Sequence, residues 1–156
     1  YRIDIVNSVL NTKFVYDLPI EVILSRIDNI NKFTKENDFK IFLANFKRIN
    51  NILKNEKFTN DTEFQVNIKL FKSIEEQKIY QFLNSFSKEI NKRGICQNSQ
   101  NFLMKSLIEI NKPIALFFDN VIVNHNDHNF KVNRFNLLRN LRNTMLKFSI
   151  FDLIEG

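Results

Sequence analysis

The stretch FFDNVIVNHNDHNFKVNRFNLLRNLRNTMLKFS, residues 117–149, decides the fold class. In its second half, Leu137, Leu138, Leu141, Met145 and Phe148 recur at helical spacing. Asp127, just before this run, is a residue type that caps helix N-termini, and Asn124 to Asn126 form a polar turn ahead of it. The first half ends an apolar helix with Phe117, Phe118 and Asp119. The reading is therefore helix, short turn, long helix, the last running to about Ile150.

Working outward, the same period continues. A helix is expected over 98–123, kinked or split after Asn111 because Pro113 lacks an N–H. Another spans 68–92 and ends before Gly94, a good helix stop. Residues 37–54 place Phe39, Phe42, Leu43, Phe46, Ile49 and Leu53 on one side. A further helix starts near Asp17, with Pro19 in its first turn, and a short one covers 2–12. Residues 55–66 lose the period and read as an internal connector. With only 2 Gly and 2 Pro the chain cannot supply a tight turn every ~8–12 residues, as an all-β fold requires. The expectation is all-α: a single domain, residues 1–156, forming an antiparallel bundle of six to seven helices.

Bulk properties narrow the function. Hydrophobic residues make up 44% and charged residues 26%, the balance of a globular domain with a sizeable core. The net charge of +6 suits an anionic partner, although the excess of Lys, Asn, Ile and Phe also matches the codon usage of an AT-rich genome. A single cysteine, Cys96, excludes an internal disulfide and a multi-cysteine zinc site. No apolar run reaches the ~18 residues of a membrane span, so no membrane partner is expected. Tyr1 opens the chain without a signal-peptide layout, and the sequence reads as a piece of a longer polypeptide.

Few residues suggest chemistry. His125 and His128 flank Asp127, but two imidazoles on a turn without further ligands read as a solvated turn. Glu75 and Glu76 at a helix start read as complements to the helix dipole. No Gly-rich phosphate loop and no nucleophile–base pattern occurs, so no catalytic residue, metal or cofactor is expected in this domain. Arg134 falls on the apolar side of the last helix. A charge there needs a partner, and Asp119, at the end of the preceding helix, is the expected one, in a structural ion pair. Two basic, amide-rich stripes remain: Lys40, Lys47, Asn51 and Lys54 on the third helix, and Arg139, Arg142 and Lys147 with Asn136, Asn140 and Asn143 on the last. Each is either a plain solvated face or a surface for phosphates and bases.

The chain resembles the C-terminal anticodon-binding (DALR-like) domain of the bacterial glycyl-tRNA synthetase beta subunit. The likeness covers nearly the whole sequence. It rests on YRIDIVNSVL and DLPIEVILSRIDNINKF at the start, ANFKRINNILK (44–54), KPIALFFDNVIVN (112–124) and VNRFNLLRNLR (132–142). Lys131 departs from the Arg that is frequent in the family, the FSIFDLIEG end is looser than usual, and 55–66 matches poorly. The resemblance implies that the domain holds the anticodon arm of a glycine tRNA. It implies a cytoplasmic parent with two alpha and two beta chains, in which ATP, Mg and glycine are handled mainly on the alpha subunit. It carries an RNA-binding role to Lys47, Arg48 and Asn51; Lys54, Arg139 and Arg142 complete the expected RNA-binding set from the basic stripes. Two other readings stand beside this one: a helical protein–protein interaction module with a codon-biased basic surface, and an enzyme with an unrecognised site.

Overall fold

The computed structural model describes residues 1–55, 65–94 and 96–155. Among these residues the chain forms seven α-helices and no strand. They are α1 (Ile3–Leu10), α2 (Ile20–Phe33), α3 (Asp38–Lys54), α4 (Ile74–Arg93), α5 (Gln97–Glu109), α6 (Asn111–Asn120) and α7 (His128–Leu146). The all-α bundle expected from the apolar spacing is what the chain forms. Most of the connector expected at 55–66 lies outside the described residues.

Local chemistry sets the helix ends. Asp127 caps α7 as expected, its carboxylate accepting from the Asn129 N–H at 2.8 Å. The expected long fifth helix is split at Ile110, one residue earlier than read from the sequence. Pro113 then falls in the first turn of α6, where a missing N–H leaves no helical bond unmade. The helix expected from 68 begins only at Ile74. A 3₁₀ turn, Ile68–Leu70, precedes it, and Ser73 forms a capping box with Glu76. Asp17 does not start α2; it closes a 3₁₀ turn, Val15–Asp17, and Pro19 stands immediately before the helix.

Among the described residues two have positive φ. Gly94 follows α4 at φ 66°, ψ −172°, a region almost reserved for glycine. A Cβ added there meets nothing within 4 Å. Gly94→Ala is therefore expected to cost about 1–2 kcal/mol from backbone conformation alone, read as a lower denaturation midpoint. The other is Phe14, at φ 62°, ψ 18°. A left-handed conformation at an aromatic residue costs roughly 1–2 kcal/mol, and Phe14 recovers little by burial because it is 67% exposed.

One continuous core joins all seven helices. α7 packs between α3 and α4, and α6 also touches both. α1, α2 and α5 form the neighbouring flank. The Glu76–Arg134 pair joins the first turn of α4 to the second turn of α7, and Phe86 meets Phe148 further along at 5.6 Å between ring centroids. These two helices, far apart in sequence, thus run side by side in the same sense.

The segment after α7 was expected to extend the helix but leaves it at Leu146. It turns back because better partners lie elsewhere. The Ile150 N–H donates to the Ser8 carbonyl at 2.8 Å, and the Ser149 hydroxyl donates to the Ser8 hydroxyl at 2.8 Å. Phe151, fully buried, sits edge-on to Phe42 and Phe46 at 4.8 and 5.5 Å. Asn50 of α3 donates to Asp152 at 2.9 Å. The tail is a wedge between α1 and α3.

Candidate nucleic-acid interface

α7 supplies the framework on which any surface of this bundle is built, and buried polar groups fix it. Arg134 is buried, as its place on the apolar side required. The expected partner is corrected: Asp119 is exposed, and the Arg134 Nε donates to the Glu76 carboxylate at 2.9 Å while its Nη1 donates to the Ile122 carbonyl at 2.8 Å. The reason is geometric. α6 ends at Asn120, so Asp119 sits at a solvated corner, whereas α4 runs alongside α7 and aims Glu76 into the seam. Glu76 is fully buried and also accepts from the Lys72 and Ser73 N–H groups at 2.8 and 2.9 Å. Its role exceeds the helix-dipole effect read from the sequence. Asn133 forms a two-way clamp: its Oδ1 accepts from the Asn67 N–H at 2.7 Å and its Nδ2 donates to the Asn67 carbonyl at 3.1 Å.

The expected RNA-binding residues fall into separate places. On α3, Lys47, Asn51 and Lys54 are exposed and lie within roughly 60° of one another on the helical wheel. Arg48 is also exposed but stands about 100° from Lys47. Its guanidinium lies 4.3 Å from the centroid of the Phe118 ring, a cation–π contact between α3 and α6. On α7, Arg139 and Arg142 are only half-exposed. Burial, and after it the neighbouring Arg139 charge, hold the Arg142 guanidinium below its usual pKa. The Arg142 Nε is buried without a hydrogen-bond partner among the described residues. The structure therefore offers an open strip on α3 and a more sheltered pair of arginines on α7.

A second buried arginine, unforeseen in the sequence, locks the other flank. Arg26 of α2 donates through Nη1 to the Lys147 carbonyl at 2.8 Å and through Nε to Gln100 at 3.3 Å. Its guanidinium lies 5.3 Å from the Phe148 ring centroid. Burial pushes its pKa down to about 10, so it stays charged at neutral pH, placed at the negative end of the α7 dipole. Its spacing within the α2 apolar stripe was the available signal.

His125 lies half-buried in the turn before α7, its Nδ1 accepting from the Asp127 N–H at 3.0 Å, and His128 is the exposed first residue of α7. No group of three or more His, Cys, Asp or Glu side chains suited to a metal occurs among the described residues. No described helix is long and apolar enough to cross a membrane.

Residues 42–152 match the family model of the DALR anticodon binding domain. The chain belongs to the DALR anticodon binding domain family. The matched segment of this anticodon-binding domain begins within α3 and ends in the tail, so it takes in both basic strips and the Glu76–Arg134 seam. Related proteins extend the likeness over α1 and α2. The glycine–tRNA ligase beta subunit of Thermodesulfovibrio yellowstonii is 29% identical over 143 residues, 90% of this chain and 20% of that protein. The beta subunit of Rickettsia typhi is 30% identical over 140 residues, 90% of this chain and 19% of its own length. That of Buchnera aphidicola is 27% identical over 154 residues, 99% of this chain and 21% of its own. The chain thus spans about a fifth of the length of these relatives.

Proposed function

We propose that this chain is the part of a glycine–tRNA ligase beta subunit that holds the anticodon arm of a glycine tRNA. The family match across α3 to α7 carries this reading. The beta subunits aligned over 90–99% of the chain support its assignment to glycine. The domain positions the tRNA and performs no bond-making. Activation of glycine with ATP and Mg belongs elsewhere in the parent enzyme, a cytoplasmic assembly with an alpha subunit. The exposed strip of Lys47, Asn51 and Lys54 suits a phosphate track, with lysines neutralising charge and the amide reaching sugar or base edges. Arg48 adds charge beside it from the Phe118 face. Arg139 and Arg142 form the second basic element.

Filter-binding titrations of the chain with glycine tRNA and a non-cognate tRNA, across a salt series, test this. Binding is expected to favour the glycine tRNA and to weaken as salt rises, each phosphate contact in a single-stranded loop adding ~0.7 to the logarithmic slope. Reversing Lys47, Arg48 and Lys54 together to Glu is expected to weaken binding strongly and lower the slope by about 2. The fold should stay intact, since all three are exposed and the Arg48–Phe118 contact is worth only ~0.5–1 kcal/mol at an exposed cation. Unchanged binding in this variant would remove α3 from the RNA surface. Unchanged binding after further reversal of Arg139 and Arg142 would favour a protein–protein interaction module instead.

A further inference from the structure

At the end of α7 opposite its capped start, an open groove of about 510 Å³ lies between α7 and the loop after α1. Its lining includes Lys13, Phe14, Asn143, Leu146 and Lys147, and it contains two lysines and no carboxylate. Phe14 is 67% exposed and the nearby Tyr16 is 83% exposed, although both are large aromatic residues. Phe14 is also the one non-glycine residue of positive φ among those described. A bulky ring held in an unfavourable backbone conformation and left in water gains nothing for the fold. Such strain persists where the surroundings impose it, and it gathers at ligand sites. Lys13 Nζ stands 4.9 Å from the Phe14 centroid, so charge and ring face the same space.

Exposed rings beside lysines and amides are the elements of single-stranded nucleic-acid recognition. The ring stacks on a base of any identity, the cations take the flanking phosphates, and amides reach base edges. We propose that Phe14, with Lys13, Lys147 and Asn143, forms a base-stacking site that receives one unpaired nucleotide of the bound RNA. This rests on the reading of the chain as an RNA-binding domain. It adds a site outside the segment matched by the family model, since Lys13 and Phe14 precede residue 42.

The test uses the 156-residue chain and a glycine tRNA carrying 2-aminopurine at single positions of the anticodon loop. Stacking on an aromatic ring quenches that fluorophore, which a structural or purely electrostatic role does not do. With the parent chain, at least one position is expected to be quenched on binding. Phe14→Ala should abolish that quenching and weaken binding about 5- to 150-fold, the range for loss of one stacked base. Phe14→Trp should restore both. Lys13→Gln with Lys147→Gln should lower the salt slope and leave the quenching at saturation. Phe14→Gly is the most diagnostic variant. It relieves the backbone strain, so its melting temperature should be unchanged or raised while its affinity falls as in Phe14→Ala.

Absence of quenching at every position, or Phe14→Ala binding as tightly as the parent, overturns the stacking site while leaving the anticodon-domain reading in place. A Phe14→Gly chain that is destabilised yet binds normally makes the ring a structural anchor and also overturns it. If the parent chain itself binds no tRNA at low salt, the stacking site and the functional reading fall together.

Discussion

Glu76→Ala is expected to destabilise the chain by ~3–5 kcal/mol, the loss found when one partner of a buried ion pair is removed. Two effects converge on this carboxylate. It neutralises Arg134, whose side chain is 7% exposed against 1% for Glu76 itself. It accepts from the Lys72 and Ser73 N–H groups, so its removal orphans donors at the α4 start. The bond from the Ser73 N–H is the Glu76 half of the capping box. Asp119→Ala is the control: Asp119 is exposed, and the change should fall within about 0.5 kcal/mol of the parent. Urea denaturation of the two variants decides the matter. Equal, small losses would mean that Arg134 keeps its charge solvated without Glu76. A large loss at Asp119 would restore the pairing expected from sequence. Replacing Glu76 and Arg134 together with apolar residues of similar volume should recover part of the Glu76→Ala loss, because no unpaired charge is then left inside.

Phe151→Ala is expected to cost ~3–5 kcal/mol, the range for truncating a buried phenylalanine. The ring is fully buried and meets two others edge-on, Phe42 and Phe46, so a cavity forms against α3 where neither neighbour can swing in without leaving its own site. The loss should carry the tail with it. Hydrogen exchange is expected to show the Ile150 amide, now bonded to the Ser8 carbonyl, losing protection before the α4 and α7 amides do. A loss below about 1 kcal/mol, with Ile150 protection unchanged, would show that Ser149 and Asn50 hold the tail without the ring. Leu153→Ala, at a residue 44% exposed in the same turn, should be far milder.

Both predictions concern features that the sequence reading placed elsewhere or left loose, and the same cause accounts for each. What succeeded was local. Asp127 caps α7 because an Asx side chain reaches the N–H two residues on, whatever the rest of the chain does. Gly94 ends α4 because φ 66° with ψ −172° is a backbone conformation costly for any residue with a side chain. The break near Pro113 follows from a missing N–H, though it falls at Ile110, a residue earlier than the proline alone indicates. The apolar stripes of α3 and α7 became the core face that their spacing implied.

The sequence by itself thus determined the class of fold, most helix ends, which side of each helix is buried, and, through the resemblance, the family. The partner of Arg134 was decided only by tertiary structure. The burial of Arg134 could be read from its stripe, but its partner depended on α4 lying alongside α7, and nothing within 58 residues of chain separation encodes that locally. The splitting of the basic residues into an open α3 strip, a stacked Arg48 and two sheltered α7 arginines is likewise a packing outcome. So is the contrast between Phe151 and Phe14: identical side chains, one fully buried between helices and the other held in solvent at a strained turn. Periodicity reports which face a residue takes on its own helix. It carries no information on which other helix arrives there, and the free energy of a buried charge or ring is fixed by that arrival.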